Sequence, residues 1–127
     1  MEPVAIVTAL ALIQYLLIGM LVGRARTRGG VQAPATSGDP IFERYFRAHQ
    51  NTLEQLILFV PSLWIFAYYV SAQMAAALGL VFIIGRLIFV RAYVVDPPTR
   101  ATGFLIGVVP LMVLLIGSLI GPLVAWL

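Results

Sequence analysis

The sequence contains no cysteine, no lysine and a single histidine, His49, among its 127 residues. Without cysteine there is no disulfide, no thiolate metal site and no protein-borne thiol nucleophile. A lone histidine is also too few ligands for a zinc site, so no metal is expected. Charge is scarce: Asp, Glu and Arg together make up 10% of the chain, against about 25% in a soluble domain. The net charge of +3 is small and lies beside apolar runs, so nucleic acid is not an expected partner. A basic segment ahead of the first apolar run is missing too. Glu2 stands there instead, and no small-residue cleavage site follows, so that run does not read as a secretory signal.

What remains is apolar. Hydrophobic residues form 61% of the chain and the mean hydropathy is +1.01, which places it in the membrane class as one domain over residues 1–127. Four runs are long enough to cross a hydrocarbon core of roughly 30 Å. Helices are expected at about 3–24, 41–70, 73–95 and 100–126, joined first by a loop at about 25–40. The Asp39-Pro40 pair suits a helix start, because Asp caps and Pro fits the first turn. Pro61 is expected to kink the second helix, and Asp96-Pro97-Pro98-Thr99 to break the chain before the fourth. Arg24, Arg26, Arg28, Arg44 and Arg47 follow the first run, and Arg91 and Arg100 lie near the third connection. The second connection is uncharged, so loops one and three are expected in the cytoplasm. Lysine-free usage hints at a GC-rich bacterial genome and hence an inner membrane; in a eukaryote the endoplasmic reticulum takes its place.

The informative stretch is Glu43 to Glu54. With Arg47 as origin and 100° per residue, Arg44, Asn51 and Glu54 fall at about 60°, 40° and −20°, forming one polar stripe. Glu43 borders it, and its pairing with Arg44 also reads as plain surface charge. His49 falls on the opposite side, as a packing or subunit-contact residue rather than a base. Arg86 lies inside the third run, where an arginine normally faces the bundle interior and pairs with an acid. Glu54 is the expected partner at similar depth. Tyr93 and Phe89 share the Arg86 face, whereas Arg91 lies off it and is expected to snorkel to the headgroups. Arg100, beside Pro97-Pro98, reads equally well as a topology anchor. Trp64, Phe66, Tyr68 and Tyr69 read as an interfacial aromatic belt. The stripe with Tyr93 and Arg100 suits a small ligand carrying carboxylates and an amine, since Arg forks onto carboxylates and Glu onto ammonium. A further cation would favour a ligand thiol in its ionised form.

The segment Glu43-Arg44 … Arg47-Ala48-His49-Gln50-Asn51-Thr52-Leu53-Glu54 resembles the signature of the MAPEG family, the membrane-associated proteins of eicosanoid and glutathione metabolism. Its form is most similar to that of the type-three microsomal glutathione transferases. Gly85-Arg86-Leu87 … Tyr93 … Arg100 resembles that family's third-helix motif and the catalytic arginine that follows it. The likeness spans essentially the whole chain. It implies an all-α integral membrane protein, a bundle of four transmembrane helices assembling as a homotrimer, with glutathione between neighbouring subunits near the cytoplasmic side.

By that resemblance Arg47, Asn51 and Glu54 hold the charged ends of glutathione, and Arg26 approaches from an adjacent subunit's first loop. Tyr93 contacts the ligand from the third helix, Arg86 belongs to the same binding set, and Arg100 stabilises the attacking thiolate. Gln50 and His49 match family variation and are weaker ligand candidates. Phe89 departs from the leukotriene-synthase form, which carries Tyr there, so one hydroxyl is absent. The implied activity is glutathione transfer to apolar electrophiles or lipid hydroperoxides arriving from the bilayer. A non-catalytic, lipid-presenting member of the family is the alternative. A small four-helix drug transporter fits length and hydropathy, but its first span would need a proton-coupling acid, and Val4 to Val22 has none.

Overall fold

The computed structural model describes residues 1–127 and is wholly helical. Helices α1 (Glu2–Gly29), α2 (Pro40–Tyr69), α3 (Ala72–Val95) and α4 (Ala101–Trp126) follow in order, with one 3₁₀ turn, Pro97–Thr99, before α4. All four are long and apolar enough to cross a membrane. Helices α2 and α3 form the middle of the bundle, and α1 and α4 each pack against both.

The termini follow local chemistry, with one extension beyond the sequence reading. α1 continues to Gly29 instead of ending near residue 24. Arginines are good helix formers, and no breaker intervenes before Gly29-Gly30. Gly30 takes the left-handed conformation at φ 67°, and Val31 N–H donates to Arg26 O at 3.1 Å, a Schellman closure. Val31 then buries itself against Val22, Ala25 and Phe42. α2 starts at the Asp39 cap, whose Oδ2 accepts from Phe42 N–H at 2.9 Å. It stays helical through Pro61. Ser71 caps α3 by accepting from Met74 N–H at 3.2 Å.

The main core joins α1, α2, α3 and α4 through residues such as Val7, Phe59, Phe82 and Leu114. Phe59 and Phe82 stack with ring centroids 4.0 Å apart. Phe66 belongs to this core at 3% exposure, which corrects its place in the aromatic belt. A Cβ on Gly117 would collide with the Phe66 ring, so α4 offers the ring a glycine-wide slot. Trp64, Tyr68 and Tyr69 do remain exposed. His49 stacks on Tyr15 with centroids 4.1 Å apart, joining α2 to α1 as a packing residue.

The outer surface is greasy along every helix, with Met20, Ile57, Leu87 and Leu119 all more than half exposed. Such a surface is stable only in contact with lipid or other apolar chains. The protein is an integral membrane protein.

Candidate functional site

At the end bearing the 3₁₀ turn, helices α2, α3 and α4 border an open cavity of about 500 Å³. Arg47, Gln50, Asn51 and Glu54 line it from α2, Phe89 and Tyr93 from α3, and Arg100, Ala101 and Phe104 from the start of α4. Of the residues singled out in the sequence, Arg47, Asn51, Glu54, Tyr93 and Arg100 therefore meet around one space. Residues 47, 51 and 54 do so because i, i+4 and i+7 share a helix face. Arg100 joins them because the Pro97–Thr99 turn reverses the chain: Thr99 Oγ1 donates to Asp96 O at 2.7 Å, and Arg100 Nη1 donates to Pro97 O at 3.0 Å. Its guanidinium carbon lies 5.8 Å from the Tyr93 ring centroid. Phe89, Tyr93 and Phe104 make an aromatic floor, with Phe89 5.7 Å from Tyr93 and 6.0 Å from Phe104.

Two expected residues are placed differently. Arg86 does not line the cavity. It is 1% exposed, and its Nη2 donates to Asn51 Oδ1 at 2.8 Å and Thr52 Oγ1 at 2.9 Å. Its guanidinium carbon sits 4.3 Å from the Phe89 ring centroid. Arg86 is thus a positioning residue that orients the Asn51 amide from behind. The expected Glu54–Arg86 ion pair does not form. The single ion pair in the chain joins the Met1 amino group to Glu2, and Glu54 stays exposed on the cavity rim. Burying the carboxylate beside Arg86 would strip water from both charges; the neutral acceptors Asn51 and Thr52 serve the guanidinium instead. Arg26 is also outside the cavity formed by its own chain. Its Nη1 donates to Ala35 O at 2.7 Å, and its guanidinium stacks on Phe42 at 4.6 Å.

Arg44 is more than surface charge. Its Nη1 donates to Val94 O at 3.0 Å, satisfying a carbonyl in the last turn of α3 where no intrahelical donor is available. Sequence reasoning also missed Thr52 as a partner of Arg86. It lies 1% exposed, off the polar stripe, and its hydroxyl donates to Ala48 O at 2.8 Å while accepting from Arg86. Ala101 was missed as well. It belongs to the open first turn of α4, which has no side-chain cap, and such a turn presents free N–H groups and partial positive charge.

The cavity therefore joins two arginines and one carboxylate that have no ionic partner in the chain to two amides, a phenol and an aromatic floor. It can bind a small zwitterionic or polyanionic molecule and favour an anion beside Arg100.

Comparison with known proteins agrees in kind. The chain is 44% identical to an uncharacterised protein of Synechocystis sp., across 91% of this chain and 85% of that protein. It is 38% identical to human microsomal glutathione S-transferase 2, across 87% and 77%, and 32% identical to mouse leukotriene C4 synthase, across 99% and 86%. The MAPEG family description matches residues 4–120. With the match covering nearly the whole chain, and both signature segments converging on one cavity, the protein belongs to the MAPEG family.

Proposed function

We propose that the protein is a membrane-bound glutathione transferase that presents glutathione as a thiolate to apolar electrophiles from the bilayer. The observation that carries this reading is the cavity in which Arg47, Arg100 and Glu54 face one space without ionic partners. Glutathione has two carboxylates, one ammonium and one thiol, which match these groups in sign. Arg47 and Asn51 bind carboxylate, Glu54 binds the ammonium, Tyr93 donates from its phenol, and Arg100 faces the sulfur. The relatives named for glutathione transfer and leukotriene C4 synthesis support the same chemistry.

In the proposed reaction the thiol proton leaves to water and Arg100 compensates the charge on sulfur. The thiolate then forms a bond to an electrophilic carbon, whose leaving group departs or whose ring oxygen takes a proton from water. Reduction of a lipid hydroperoxide would use the same thiolate against oxygen, a second glutathione completing the disulfide and releasing alcohol and water. A free thiol has a pKa of about 8.5, and lowering it by two units takes roughly 2.7 kcal/mol of preferential stabilisation. One arginine in a partly dry site, with the open α4 N-terminus beside it, supplies an effect of that size.

The assembly we propose is a homotrimer, with a neighbouring subunit's Arg26 completing each glutathione site. The end of the bundle with loops one and three then faces the cytoplasm, where glutathione is available.

The direct test is an ultraviolet difference spectrum on adding glutathione to purified protein at neutral pH. A thiolate band is expected. Its absence, with glutathione shown to be bound, would shift the reading to the non-catalytic, lipid-binding member of the family. Arg86 gives a separate prediction. Arg86→Met keeps most of the buried volume but releases Asn51, so the KM for glutathione should rise roughly tenfold, the equivalent of one charged hydrogen bond. The kcat should change much less. A loss confined to kcat would contradict the positioning role.

A further inference from the structure

A second cavity system lies on another face of the bundle. Between α1 and α3 runs an apolar groove of about 580 Å³, lined by residues such as Leu10, Leu17, Leu87 and Val90, with Arg91 at its polar end. It shares Leu21 and Tyr45 with a smaller cavity of about 280 Å³, lined by Arg24, Arg28 and Asp39 among others. The two spaces therefore adjoin at Leu21 and Tyr45, one mostly apolar and the other bearing charge. None of the glutathione-facing residues lines either one.

The charges at the polar end have no internal use. The arginines that donate side-chain hydrogen bonds within the chain are Arg26, Arg44, Arg86 and Arg100. Arg24, Arg28 and Arg91 are exposed, donate to nothing in the chain and have no ionic partner. Asp39 is the one carboxylate that lines either space, and its Oδ2 is engaged in capping α2. Arg24 and Arg28 lie one turn apart on the side of α1 facing away from Arg26. From Leu10 to Leu21 the groove extends about 16 Å along α1, close to half of a ~30 Å hydrocarbon core and so the depth of one leaflet. At its floor Gln14 Nε2 donates to Ile83 O at 2.9 Å, fixing α1 against α3 while satisfying its own amide.

We infer that this groove is a binding site for an anionic membrane phospholipid, with the phosphate among Arg24, Arg28, Arg91 and Tyr45 and an acyl chain between α1 and α3. Guanidinium forks suit phosphate oxygens, and an anionic leaflet attracts clustered basic side chains. A second protein helix would fill the apolar part but leave the three arginines of the lining with Asp39 alone among lining carboxylates. An anionic lipid satisfies both ends.

The test is native mass spectrometry of the detergent-purified protein offered equal amounts of phosphatidylglycerol and phosphatidylcholine with identical acyl chains. Retention of phosphatidylglycerol should exceed that of phosphatidylcholine on the order of tenfold or more. The triple variant Arg24→Gln, Arg28→Gln, Arg91→Gln should lose the preference while keeping its glutathione-dependent rate and its melting temperature. Leu17→Trp, which fills the groove from its exposed side, should lower retention of both lipids. Equal retention of the two lipids by the unmodified protein would overturn the inference. So would an undiminished preference in the triple variant, or full phosphatidylglycerol retention by a folded Leu17→Trp protein.

Discussion

Arg100→Ala is expected to lower the rate of glutathione conjugation at pH 7 by on the order of tenfold to a hundredfold, with glutathione affinity changed only a few-fold. The guanidinium is tethered to its own turn by Pro97 O and stands over Tyr93 at the cavity edge. It is thus placed to act on one atom of the ligand, whereas Arg47, Asn51 and Glu54 carry the charged ends. If Arg100 lowers the bound thiol from about 8.5 by two units, the thiolate is mostly formed at neutral pH, and without it only a few per cent remains. The pH–rate profile separates this from a general loss of structure. The unmodified enzyme should be at half its maximal rate near pH 6.5 and level off above about pH 7.5, whereas the variant should reach half-maximum only near pH 8.5 and continue to gain rate up to about pH 9.5. Parallel profiles, or equal losses in affinity and turnover, would remove Arg100 from the thiolate. The same variant should lose the thiolate band while still binding glutathione.

Gly103→Val should be the most damaging single change outside the cavity. A Cβ on Gly103 would stand 2.7 Å from Phe89 Cα and 2.8 Å from the carbonyl carbon of Ile88, and one on Gly85 would meet Gly107 Cα at 2.7 Å. These are backbone atoms, so no rotamer change relieves the contact, and α4 must move away from α3. Close approach through small residues is how helices associate where lipid removes the hydrophobic drive. Overpacking of this kind costs about 3 kcal/mol, the upper end of its usual range. Function should fall further, because α4 carries Arg100 and Phe104 while α3 carries Phe89 and Tyr93. Gly107→Ala is the control. Its nearest neighbour is the flexible Arg86 Cδ at 3.6 Å, an ordinary contact, so the change should be mild. Thermal melts in detergent, read beside glutathione turnover, check both. A Gly103→Val protein that melts with the parent would refute the account of the α3–α4 seam.

The membrane class, the four spans and most of the helix ends were legible from the residues alone, because hydropathy and capping act over a few residues. The Asp39 cap and the Pro97-Pro98 break are local chemistry, readable without knowing what lies nearby. The sequence also placed Arg47, Asn51 and Glu54 on one face of α2, since helical periodicity alone does that. Where α1 ends was less legible: Arg24 to Arg28 looked like loop charge, but arginine continues a helix until Gly30 supplies a left-handed closure that Val31 seals by burial.

Partner choice across helices was decided only in three dimensions. Equal depth in the membrane suggested Glu54 for Arg86, yet the guanidinium is nearly fully buried and bonds Asn51 and Thr52, leaving the carboxylate on the rim. Arg44 likewise looked like surface charge until α3 was seen to end with Val94 O within its reach. Which of several polar groups an arginine meets depends on helix rotation and on glycine-width approach at Gly85 and Gly103. Both are properties of packed pairs of helices rather than of any single segment, and they decided which predicted residues face the cavity and which support it from behind.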